Sequence, residues 1–130
     1  LDKLIKNKVK QGEVHTVDYR PWGWFKNYTS GKNFKVKKIH VYTGQSLSLQ
    51  SHNKRSEHWV VVKGVAKVVI DESIHTLTVG KSIFIPQGSK HRLSNEENET
   101  LEIIEVQIGS YLEEDDIIRY EDIYNRNSDI

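Results

Sequence analysis

Four residues of this chain have the types and spacing to share one metal ion: Gln50, His52, Glu57 and His91. In an extended strand, residues i and i+2 point to the same face, so Gln50 and His52 project together. Glu57 follows across the short segment 53–56 and can return to the same pocket from the next strand. His91 comes after Pro86-Gln87-Gly88, a turn able to present it from a further strand. An amide oxygen, two imidazoles and a carboxylate suit zinc first, and could also take manganese, iron, cobalt or nickel. Positions on such an ion would stay open for water or substrate oxygens. Any one of the four alone reads more simply as a hydrogen-bonded core residue; the combination is what points to a metal. His58 neighbours Glu57 and should face the other way, while His15, His40 and His75 belong to no motif and read as structural or exposed.

The elements that must carry these groups are strands. Arg20-Pro21-Trp22-Gly23 predicts a turn leading into an aromatic strand, and 30–33 a hairpin turn. Strands are expected over 34–42, 59–62, 66–70, 74–78, 83–86 and 101–108, with the pair 66–70 and 74–78 folding back across Asp71-Glu72-Ser73. Many short strands with regular turn signals predict an all-β barrel or sandwich. Two segments break the style. Leu1, Leu4 and Ile5 recur at helical spacing, so residues 1–16 read as a linker or short helix. Ile117, Tyr120 and Tyr124 follow an acidic run, Glu113 to Asp116, which predicts a helix in a C-terminal tail over 113–130. The barrel is then 17–112.

Composition narrows the class. The chain has 130 residues, 36% hydrophobic and 28% charged, with a formal net charge of +1. That suits a single globular domain and makes no case for a nucleic-acid or membrane partner. With no cysteine, disulfides and thiolate ligands are excluded. The start has neither a continuous apolar core nor a methionine, and the chain reads as a cytoplasmic piece of a longer protein.

At this point the motifs carry a resemblance. Gly80, Pro86, Gly88, His91 and Asn95 match the second cupin motif in full. Gly44, Gln50, His52, Glu57 and Gly64 match the first, with glutamine in place of its first histidine. Gln-x-His with a downstream Glu and His is similar to the ligand set of phosphomannose isomerases. Arg20-Pro-Trp-Gly23, residues 44–50, residues 57–62, Lys90-His-Arg-Leu93, residues 104–107, residues 109–112 and residues 114–119 all resemble the type II mannose-6-phosphate isomerase domain. The likeness runs from about Val17 to Arg126. It departs where many relatives carry further histidines after the ligand histidine, since Asn53 and Lys54 stand there. The resemblance implies a cupin double-stranded β-helix, a jelly-roll barrel. It also implies a domain often fused behind a mannose-1-phosphate guanylyltransferase, and cupins often dimerise.

The implied reaction interconverts mannose 6-phosphate and fructose 6-phosphate by a proton shift between C1 and C2, feeding GDP-mannose synthesis. A base must move that proton. Ile103, Glu105 and Gln107 share one strand face, and an inward carboxylate must be paired or functional, so Glu105 is the leading candidate. A salt bridge from Glu105 to Lys35 or Lys37 is the competing explanation. Cations for the phosphate are sought in Arg92, Lys90 and Lys37, with Arg55 in the ligand loop. Arg92 is placed with Glu105 in the catalytic group, and Ser48 and Gln107 complete the substrate-binding set. Trp22 and Trp59 read as core. The alternative function is a non-catalytic sugar-phosphate-binding or dimerising module.

Overall fold

The computed structural model describes residues 16–121. Eleven strands follow one another among them: β1 (Val17–Arg20), β2 (Gly23–Ser30), β3 (Phe34–Val41), β4 (Leu49–Ser51), β5 (Arg55–Lys63), β6 (Ala66–Ile70), β7 (Ser73–Leu77), β8 (Ser82–Ile85), β9 (His91–Ser94), β10 (Leu101–Gly109) and β11 (Ile118–Glu121). They form a six-stranded sheet, ordered β1-β2-β3-β10-β5-β8, and a five-stranded sheet, ordered β11-β4-β9-β6-β7. Consecutive strands such as β4 and β5 fall in opposite sheets, and every pairing is antiparallel. This is the double-stranded β-helix that the motifs imply.

Alternation makes the layers. On β10, Leu101, Ile103, Glu105 and Gln107 are buried while the residues between them are more exposed. Leu101 and Ile103 pack with Phe25, Ile39, Val41, Val61, Val68, Ile85 and Leu93 into one apolar core between the sheets. Trp22 and Trp59 are buried in the same core, as expected. Gly64 turns β5 into β6 at φ +84°, and a Cβ there would meet the carbonyl oxygen of Thr100 at 2.6 Å. Only glycine combines that backbone with so close a neighbour.

The end of the described chain corrects one expectation. No helix is present among the described residues, and β11 pairs with β4 instead, Ile118 opposite Ser51 and Arg119 opposite Gln50. The burial pattern explains why. Ile117 and Arg119 are half-buried, whereas Ile118 and Tyr120 are exposed. That is a period of two, and pairing with an open sheet edge outweighs the weak helical spacing of Ile117 and Tyr120. Tyr124, His15 and nearly all of the expected linker or short helix over 1–16 lie outside the described residues. No helix among the described residues is long and apolar enough to cross a membrane.

Candidate metal centre

The inward positions of β10 change from apolar to polar halfway along the strand, and the neighbouring strands change with it. The register sets Glu105 between Lys37 of β3 and Trp59 of β5, and Gln107 between Lys35 and Glu57. Across the barrel, β9 makes the same switch from Leu93 to His91, and His91 stands opposite Gln50 of β4. One end of the barrel is therefore a cavity of about 140 Å³ with walls part polar and part apolar, bordered by Gln50, His52, Glu57, His91, Glu105 and Lys37 among others.

His52, Glu57 and His91 are buried, and their ligand atoms all lie within 4.8 Å of one another. His52 Nδ1 bonds the carbonyl of Asp116 at 2.6 Å, and His91 Nδ1 bonds the carbonyl of Ser89 at 3.0 Å. Each ring thus donates from Nδ1 and has Nε2 as its acceptor; in His52 that nitrogen accepts an N–H of Arg55. Gln50 donates its amide N–H to Ser48 Oγ at 3.0 Å, which leaves its carbonyl oxygen as a donor to a cation. Asp116 also accepts the backbone N–H groups of Asn53 and Lys54, both at 2.9 Å, and so clamps the loop between His52 and Glu57. The Gly88 N–H bonds the carbonyl of His52 at 2.9 Å, tying the turn before His91 to the same loop.

The electrostatics suit a divalent cation. Burial, helped by the Arg55 charge, lowers His52 to about 4, and burial lowers His91 as well, so both imidazoles are neutral. Arg55 donates from Nε to Glu57 at 2.8 Å and lies 3.1 Å through Nη2 from His52 Nε2. Trp59 Nε1 donates to Glu57 at 2.9 Å and to Glu105 at 3.1 Å, and Gln107 donates to Glu105 at 2.8 Å. Burial and the neighbouring Glu57 charge push Glu105 up to about 7. Two neutral nitrogens and a carboxylate, with an amide oxygen bordering the same cavity, fit a divalent metal ion.

Residues 7–122 match the family described as "Mannose-6-phosphate isomerase C-terminal". This chain belongs to that family. Among family relatives, the alginate biosynthesis protein AlgA of Pseudomonas putida is 49% identical over 130 residues, covering 97% of this chain and 27% of that protein. The mannose-1-phosphate guanylyltransferase of Escherichia coli K12 is 50% identical over 113 residues, covering 87% of this chain and 24% of that protein. The chain thus spans about a quarter of the length of these curated relatives. An RmlC-like cupin from Shewanella frigidimarina superposes with a TM-score of 0.69 at 23% identity, over 80% of this chain and 90% of that one, a likeness in fold.

Within this isomerase-family domain, His52, Glu57 and His91 converge, and Gln50, Ser48, Lys37, Arg55, Arg92 and Glu105 border the same cavity. Glu105 forms hydrogen bonds with Trp59 and Gln107 rather than an ion pair with either lysine; Lys37 pairs with Glu114, and Lys35 donates to the Leu112 carbonyl. Gln107 is fully buried behind Glu105 and does not border the cavity. Lys90 is exposed, its ammonium 4.4 Å from the ring of Tyr120, and does not border the cavity either. His58 is exposed against Phe84, His75 is exposed on β7, and His40 stacks on Trp24 and bonds Glu102 on the outer face. Sequence reasoning missed Asp116, Glu114, Arg20, Arg119 and the indole N–H of Trp59. A period of two across Ile117 to Tyr120 was the signal for Arg119; the contacts of Asp116 and Trp59 depend on partners distant in the chain.

Proposed function

We propose that this domain interconverts mannose 6-phosphate and fructose 6-phosphate with the help of one divalent metal ion, zinc in the first instance. The observation that carries the reading is the convergence of His52, Glu57 and His91 on a cavity that Lys37, Arg55 and Arg92 also border. Gln50, His52, Glu57 and His91 would hold the ion, which supplies Lewis acidity to a sugar oxygen.

The chain's own residues do the rest. Glu105 borders the cavity with its carboxylate fixed by two N–H donors, which aims it at a substrate carbon. It takes the proton from C2 of mannose 6-phosphate and returns it to C1, while the hydroxyl proton passes from O2 to O1. Gln107 acts from behind as a positioning residue, holding Glu105 Oε1. Ser48, bonded to Gln50, is placed to meet a sugar hydroxyl. Lys37 and Arg92 bring positive charge to the cavity border, and Arg55 balances Glu57 beside the ligands. On this reading the domain follows a guanylyltransferase domain, in keeping with the name of the Escherichia coli relative, and feeds GDP-mannose synthesis as a cytoplasmic homodimer.

The test is a coupled assay for fructose 6-phosphate formed from mannose 6-phosphate, after chelation and again with zinc, cobalt or manganese added. Turnover that vanishes on chelation and returns with metal supports the reading. Absence of turnover with every metal overturns it.

A further inference from the structure

We infer that Arg119 grips the phosphomonoester end of the substrate. The inference rests on the sugar-phosphate reading above and adds the residue that would hold the anion.

The argument starts from register. His91 of β9 stands opposite Gln50 of β4, and Gln50 stands opposite Arg119 of β11. Directly opposed residues in an antiparallel ladder share a face, so Arg119, Gln50 and His91 form one inward row. Arg119 and Ile117 both border the cavity, whereas Ile118 and Tyr120 are exposed on the opposite side of the same strand. Two strand spacings separate Arg119 from His91, roughly 10 Å between backbones. A hexose with its C1–C2 end at His52, Glu57 and His91 carries its phosphate on O6, with the phosphorus seven bonds from C1. A row of that length places a guanidinium where the far end of such a molecule falls.

The other cations of the cavity are placed differently. Arg55 and Lys37 border the cavity from the facing sheet, on β5 and β3. Arg92 also borders the cavity, but it alternates with His91 and Leu93 along β9 and so stands outside the row of His91, Gln50 and Arg119. A guanidinium offers a planar pair of N–H donors that matches two phosphate oxygens at once, which an ammonium cannot do. Arg20 borders the cavity from the facing sheet and adds to the positive field.

The probe is inorganic phosphate, titrated calorimetrically into the whole chain and its Arg119→Gln and Arg119→Lys variants, beside steady-state kinetics with mannose 6-phosphate. Loss of one charge-assisted fork predicts a roughly 10- to 100-fold weaker phosphate affinity in Arg119→Gln. KM should rise by a similar factor with kcat changed far less, and Arg119→Lys should fall between. Ile118→Thr, on the outward face of the same strand, controls for damage to β11 and should leave phosphate affinity within twofold. Phosphate affinity within twofold of the parent in a folded Arg119→Gln protein overturns the inference even when turnover is intact. Phosphate binding that depends on Arg119 in a protein with no turnover supports it while removing the isomerase reading.

Discussion

The imidazole of His52 is anchored by the backbone of Asp116, 64 residues away, through a 2.6 Å hydrogen bond from Nδ1 to the carbonyl oxygen. The Asp116 carboxylate adds two bonds to the loop that follows His52. A residue outside the ligand set therefore decides both the tautomer of one ligand and the path of the chain to the next. Asp116→Ala keeps the carbonyl but releases the loop. It should weaken zinc binding by about 10- to 100-fold, the usual cost of losing an outer partner of a metal ligand. Competition against a chromogenic chelator measures this, and unchanged affinity would show that the clamp is incidental.

Trp59 offers a second test through its single N–H, which serves both Glu57 and Glu105. Trp59→Phe retains most of the ring packing and removes the donor. Leaving buried carboxylate oxygens short of a partner costs about 1–3 kcal/mol. Urea unfolding at neutral pH should show that loss, and full stability in the variant would mean that water replaces the indole.

The turn at Gly64 predicts a backbone effect. Gly64→Ala would place a Cβ 2.6 Å from the Thr100 carbonyl at φ +84°. Strain of this kind costs on the order of 1–3 kcal/mol. A drop in melting temperature with the metal site intact is expected, and an unchanged melting curve would contradict the geometry.

Acid stability should depend in part on Glu102, on the outer face. Burial pushes its carboxyl up, but hydrogen bonds with His40 and Lys38 outweigh that and hold it below its ordinary value of 4.5. A folded-state value below the unfolded one contributes stability that is present above 4.5 and fades as the pH falls through the folded value. Glu102→Gln should flatten the fall in urea midpoint over that acid range. An identical pH profile in the variant would show that the pair contributes nothing.

The residues that write their role locally were legible in the sequence. Gln50 and His52 declare a common face by parity, Gly88 and His91 declare a turn and a ligand, and Ile103, Glu105 and Gln107 declare an inward row. Their convergence rested on the resemblance, because a barrel brings them together across sheets. The tail was misread for a physical reason. Ile117 and Tyr120 satisfy a helical spacing, but Ile117 and Arg119 also satisfy alternation, and the open edge at β4 decides between them. Asn95 was legible as a motif residue though not in its task. It donates its amide to the carbonyls of Val41 and Glu99 and accepts the Glu97 N–H, pinning two loops. Lys90 stands apart from the cavity because its neighbour His91 is buried while it is exposed.

The account stands on one shared cation, and anomalous diffraction from zinc-soaked crystals of this chain addresses it directly. A single strong peak bonded to His52 Nε2, His91 Nε2, a Glu57 carboxylate oxygen and the Gln50 amide oxygen is the predicted result. A peak bonded to other residues, or none in crystals that hold zinc elsewhere, would contradict it.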